Sequence, residues 1–128
     1  MAEPIVFISR SRIVAGKRPE FESAFAGVVD LIRATKPRTA LFAAYVDESG
    51  SEVKIVHVFP DAAAMADHFE GSDDRTKSVS ELIVPTDFEV YGPAPAPAID
   101  QLRREAAAAG GRVEVLPHPI GGFLRAPA

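Results

Sequence analysis

A ferredoxin-like α+β domain, built as a split βαβ duplication, is the fold class that this 128-residue sequence predicts. Three observations predict it. Apolar periodicity runs in the order strand, helix, strand, strand, helix, strand. The two halves of that pattern have similar lengths, as a duplication requires. The composition, 47% hydrophobic and 25% charged, suits one globular domain able to bury about two thirds of its unfolded surface.

The first strand is "PIVFISRSRIV", Pro4 to Val14. It starts as an apolar run and ends in alternation, so Ser9 and Ser11 share one face and Arg10 and Arg12 the other. Gly16 breaks it, and Pro19 suits the first turn of a helix whose stripe is Phe21, Phe25, Val28, Val29 and Ile32. That helix runs to about Lys36 and stops at Pro37. Thr39 to Val46 and Glu52 to Phe59 are the second and third strands, joined by the polar turn "DESGSE". Asp61 caps a short helix whose stripe is Ala62, Met65, Ala66 and Phe69, ended by Gly71. A polar patch leads to further helical positions at Val79, Leu82 and Ile83, and Thr86 to Gly92 is the fourth strand. Handedness rules put both helices on one face of a four-stranded antiparallel sheet.

Two strands carry more apolar residues than such a sheet needs. "TALFAAYV" and "IVHVF" are apolar on both faces, whereas a sheet with one face in water should alternate. A second copy of the chain, sheet against sheet, would cover the extra face, so a homodimer is expected. Arg10 and Arg12 would then lie at the seam, with Glu89 as a candidate partner. Residues 1–92 thus form the domain. Residues 93–128 form a Pro/Ala spacer and an arm with a helix, "IDQLRREAAAAGG", and a strand, "RVEVL", packed on the domain or on its partner.

Several function classes are disfavoured. Net charge is −4 with no basic tract, so nucleic-acid binding lacks its electrostatic footprint. No apolar run spans a bilayer, and the N-terminal stretch lacks the basic region of a secretory signal. A cytoplasmic location without membrane contact is expected. With no cysteine there is no thiolate nucleophile or thiolate metal site. No phosphate loop, nucleophile elbow or zinc-protease motif occurs. Asp73 and Asp74 are adjacent in the chain and poorly placed to converge on a metal, so no metal is expected.

The candidates for chemistry are histidines, which titrate near neutrality. His57 lies in an apolar strand in the alternation set of Ile55 and Phe59, so it is a pocket group or a structural one. His68 stands at the border of its helix stripe, either half-exposed without a role or facing a pocket. His118, between two prolines, reads as structural or exposed. Ser9 and Ser11 either simply alternate with the arginines or leave room for a ligand and offer it hydroxyls. Tyr45 and Tyr91 read as wall residues.

From Pro4 to Gly92 the chain resembles the antibiotic-biosynthesis monooxygenase-like family of the dimeric α/β-barrel superfamily. The resemblance rests on "VAGKRPEFESAF", "EVKIVHVFPDAAAMADHF" and "GSDDRTKSVSELI", with Gly16, Lys17, Phe59, His68 and Ser72 at matching places. It implies a pocket between sheet and helices in each subunit and sheets that meet as a barrel. It also implies cofactor-free oxygenation of anthrone- or quinol-like aromatics, as some members perform. Haem degradation, another branch, is disfavoured: Ser9, His68 and Val79 stand where that branch carries asparagine, tryptophan and a haem-ligating histidine, and the chain has no tryptophan. On this reading His57 and His68 are base or relay, and Ser9, Ser11, Phe59 and Tyr45 bind substrate. The alternatives are a non-catalytic small-molecule-binding or stress-associated dimer, and a cyclase or isomerase using the same pocket.

Overall fold

A computed structural model describes residues 3–125; the first two residues of the N-terminal stretch and the last three of the arm lie outside them. The elements are β1 (Ile5–Ile13), α1 (Arg18–Thr35), β2 (Leu41–Val46), β3 (Glu52–Phe59), α2 (Ala62–Phe69), α3 (Ser72–Val79), β4 (Ile83–Tyr91), α4 (Ala96–Ala108) and β5 (Val113–Leu116). The sheet order is β2-β3-β1-β4-β5. The first four strands are antiparallel neighbours in the ferredoxin-like order, and β5 adds to β4 in parallel. The sheet is therefore mixed and five-stranded, where the expectation was four antiparallel strands. Among the described residues no helix is long and apolar enough to cross a membrane.

β4 begins at Ile83 rather than Thr86, and Leu82 and Ile83 are not helical. Pro85 obscured this, because proline normally ends a strand. Here the register shifts between Arg10 and Ser11 as β1 passes β4, and β5 covers only Phe88 to Tyr91. Pro85 thus sits beside an irregularity, in the half of β4 whose other edge is open, where a missing N–H does least harm.

The second helical region divides at Gly71, whose φ of +78° only glycine adopts readily. Asp61 caps α2 as expected, accepting the Ala64 amide at 2.8 Å. The buried face of α2 is Ala64, Met65 and His68, and Ala66 is exposed. A run of alanines cannot orient a helix by hydrophobicity, so the large side chains decide. At the start of β5, Gly111 abuts Thr86: a Cβ there would lie 1.4 Å from the Thr86 carbonyl oxygen. Only glycine lets the arm approach β4 so closely.

All four helices pack on one face of the sheet, which we call inner. Two apolar clusters form there. One joins Ile5, Phe59, Met65, Val90 and Leu102, at the α2 and α4 end. The other joins Ile13, Phe21, Val53 and Ile83, at the α1 and α3 end. The outer face carries Val6, Ile8, Val56 and Val58 in mid-sheet and the exposed Leu41, Tyr45 and Leu116. Arg10 is also outer, but its partners are Glu52 at 2.8 Å and Asp87 at 2.9 Å, not Glu89. The carboxylate of Glu89 instead accepts the Tyr91 hydroxyl at 2.6 Å and pushes that phenol up to about 12.

Candidate functional site

Between the two clusters the inner face is hollow. Alternation along β1 turns Phe7, Ser9, Ser11 and Ile13 inward, and the two serines are too small to fill the space between sheet and helices. The result is a cavity of about 220 Å³, at the small end for ligand sites. Its sheet-side wall is aromatic, with Phe7, Phe42 and Phe88 beside His57. Ser72, Arg75 and Thr76 of α3 and Gln101 and Glu105 of α4 make a polar wall opposite.

His57 is 6% exposed and lies flat on Phe7, with ring centroids 4.4 Å apart. Its Nδ1 is 3.0 Å from the Phe7 carbonyl oxygen. A carbonyl only accepts, so Nδ1 carries the hydrogen and Nε2 is left as the basic nitrogen. Burial pushes the His57 imidazole down to about 4, against the smaller upward pull of that carbonyl. The ring is therefore neutral at physiological pH.

His68 is buried as well, at 4% exposure, so the half-exposed reading of its border position is overturned. Its ring meets His57 edge-on at 5.3 Å and an interplanar angle of 86°. Its Nδ1 lies 2.8 Å from the Thr39 hydroxyl, which can donate or accept and so suits either tautomer. Burial first, then the charges of His57, Arg75 and Lys36, push it down to about 3. The two rings differ in one respect that matters for proton transfer: His57 has one fixed tautomer, whereas His68 can exchange its own.

Arg75 joins α3 to α2 by donating to the carbonyls of His68 and Glu70. Among the described residues it belongs to no ion pair, unlike Arg10, Arg18, Arg33 and Arg38. Burial lowers its pKa, but from a value so high that it stays charged. The cavity wall thus carries a cation whose hydrogen bonds go to carbonyl oxygens.

Of the expected site residues, Ser9, Ser11, His57 and His68 meet in this cavity. Phe59 does not line it. It is fully buried behind the histidines, 5.1 Å from the His68 ring and 6.2 Å from that of His57, and holds them forward. Tyr45 is misplaced in the expectation: it is 61% exposed on the outer face, opposite Lys54. The β2 aromatic on the cavity side is Phe42, the cross-strand partner of His57. Counting back from the hairpin would have found it, since Val46 facing Val53 obliges Phe42 to face His57. Thr39 and Arg75 carried no periodic signal, and the four-residue spacing of Gln101 and Glu105 marks a shared helix face but not the cavity that tertiary packing sets beside it. Tyr91 and the exposed Asp73 and Asp74 stand apart from the histidines, and His118 is exposed in the arm.

No protein-family model matches the sequence, and no curated protein matches it. The fold does match solved structures. MupZ from Pseudomonas fluorescens superposes with a TM-score of 0.68 at 16% identity, over 95% of this chain and 91% of its own. SnoaB from Streptomyces nogalater, a cofactor-independent oxygenase, gives 0.61 at 17% identity, over 74% of this chain and 97% of its own. A candidate antibiotic biosynthesis monooxygenase from Caulobacter crescentus gives 0.62 at 14% identity, over 70% and 88%. The chain therefore has the ferredoxin-like fold of the antibiotic-biosynthesis monooxygenase-like structures.

Proposed function

We propose that this protein is a cofactor-independent monooxygenase acting on a small aromatic molecule of anthrone or quinol type, with His57 and His68 as base and relay. One observation carries the reading: two neutral imidazoles meet edge-on in an aromatic-walled cavity that also holds hydroxyls and a cation. Likeness of fold to SnoaB supports the same class of reaction.

Deprotonating an electron-rich aromatic gives an anion that passes an electron to dioxygen. The radicals recombine to a hydroperoxide, which loses water. One oxygen atom becomes a carbonyl oxygen in place of the two hydrogens of a CH₂ group, and the other leaves as water. The substrate supplies every electron, so no outside reductant is needed.

The magnitudes decide which groups are required. Moving a proton from a phenol-like group of pKa near 10 to His57 at about 4 spans roughly 6 units, about 8 kcal/mol. A contact pair of imidazolium and substrate anion returns about 4 kcal/mol at 4 Å and an effective dielectric near 20. Hydrogen bonds to the anion from Arg75 or from Ser9 and Ser11 add about 1.5–3 kcal/mol each. The ion pair alone leaves about half of the gap, and two or more such hydrogen bonds close it. The uncovered apolar outer face supports the further reading that the enzyme works as a homodimer joined through its sheets.

Oxygen uptake by the purified protein with dithranol, a 1,8-dihydroxyanthrone, tests the proposal. Uptake above the spontaneous rate should fall at least 100-fold in the double variant His57→Ala, His68→Ala while the fold persists. Because both rings are neutral down to about pH 4, kcat/KM should stay flat from pH 8 to 5. Background uptake alone would sink the oxygenase reading and favour a cyclase, an isomerase or a binding protein.

A further inference from the structure

We propose that the C-terminal arm completes this site: Gln101 and Glu105 of α4 bind a second oxygen-bearing group of the ligand, at the end of the cavity away from the histidines. The inference rests on the cavity being a ligand site, and it assigns part of the ligand that the histidine chemistry leaves undefined.

Sequence spacing on α4 separates two tasks. Ala98, Leu102 and Ala106 are buried and fasten the helix to the sheet. Gln101 and Glu105, four residues apart and so on one face, reach the cavity wall, where Leu102 beside them also does. The Gln101 amide donates to the Ser72 hydroxyl at 3.0 Å, which ties α4 to α3 and fixes where this wall stands.

Topology supplies the span. His57 is on β3 and His68 leans on β2 through Phe42, whereas α4 packs on β4 and β5. β1 lies between β3 and β4, so His57 sits on a strand about two spacings, roughly 10 Å, from the one that α4 covers, while α4 also touches α2, the helix of His68. Between His57 and α4 the wall is aromatic. A flat two-ring molecule with an oxygen at each end matches that layout.

Among the described residues Glu105 forms no ion pair, and it is half-buried beside Gln101. Burial pushes its carboxyl up and Asp73 adds to the rise, against the lowering pull of a hydrogen bond from Gln101 and of the Arg104 charge. A half-buried carboxyl in the polar wall, in no ion pair, is placed for a hydroxyl or carbonyl from outside the protein. The comparisons agree in extent. A quarter of this chain has no counterpart in SnoaB, whereas a match over 95% of it, as for MupZ, must include most of the arm.

Anaerobic binding tests this without turnover, using the intrinsic fluorescence of 2-naphthol and 2,6-dihydroxynaphthalene, which differ by one hydroxyl at the far ring. The full-length protein should bind the diol on the order of 10-fold more tightly. Glu105→Ala should shrink that preference below about 3-fold while leaving 2-naphthol affinity and Tm in place, and Gln101→Ala should shrink it likewise, with a lower Tm from the lost bond to Ser72. His68→Ala should weaken both probes alike. An unchanged preference in both α4 variants overturns the proposal, as does a wild type that binds neither probe or both equally. Discrimination without oxygen uptake supports the arm's role and removes only the oxygenase reading.

Discussion

The two faces of the sheet follow opposite rules. On the inner face, where a monomer should be most apolar, Ser9, Ser11, His57 and His68 are buried around a hollow. Among the described residues no buried side-chain nitrogen or oxygen there or elsewhere lacks a partner. On the outer face, where water should reach, Leu41, Tyr45 and Leu116 are exposed beside a strip of valine and isoleucine, and Arg10 is neutralised by two carboxylates. Both faces depart from what folding alone requires, and the proposed function gives each departure a different use. The buried polar groups would form the site. The uncovered apolar surface would form the interface of the homodimer.

The largest effect should come from inverting the outer face. Val56 faces Ile8 and Ala43 across the sheet, so Val56→Asp puts a charge at the centre of the apolar strip. Light scattering should report a dimer for the wild type and a monomer for the variant, with dissociation favoured at least 100-fold. A monomeric wild type would remove the assembly half of the comparison.

Acid tests the inner face. Both histidines have folded pKa values below the unfolded value of 6.5, so the unfolded chain binds their protons first. Stability is fully present above about pH 6.5 and falls as pH drops towards 4, by on the order of 3 kcal/mol for His57. Thermal melts between pH 7 and 4 should show the decline, and His57→Phe should flatten it. An unchanged slope in that variant would mean that surface carboxylates set the acid limit.

The smallest effect separates the histidines from each other. Thr39→Val removes the amphoteric partner of His68 but leaves the His57 carbonyl bond alone. Turnover should fall about 5- to 10-fold with KM little changed and a larger solvent isotope effect, and Thr39→Ser should restore it. A raised KM with kcat intact would make Thr39 a packing residue.

Local chemistry made much of this architecture legible. The alternation of β1, the polar hairpin turn, the stripe of α1 and the Asp61 cap are each decided by neighbours in sequence. What escaped depended on partners far along the chain. Pro85 reads as a breaker until the irregularity beside β1 is known, and the parallel pairing of β5 needs Gly111 against Thr86. At the site, a period of two put His57, Ser9 and Ser11 on definite faces. It could not choose between Tyr45 and Phe42 without the register, nor place α4 over the cavity. His68 remained ambiguous because it stands at the border of the α2 stripe, where a small rotation about the helix axis decides between cavity and solvent.

The bond from His57 to the Phe7 carbonyl has an evolutionary consequence. Its acceptor belongs to the main chain, which no substitution at position 7 removes. Descendants of this sequence could change every side chain around the ring, and so the molecules admitted, while inheriting the same basic nitrogen turned the same way. Novelty in substrate would then arise in the side chains of the cavity wall, with the tautomer of His57 passed on intact.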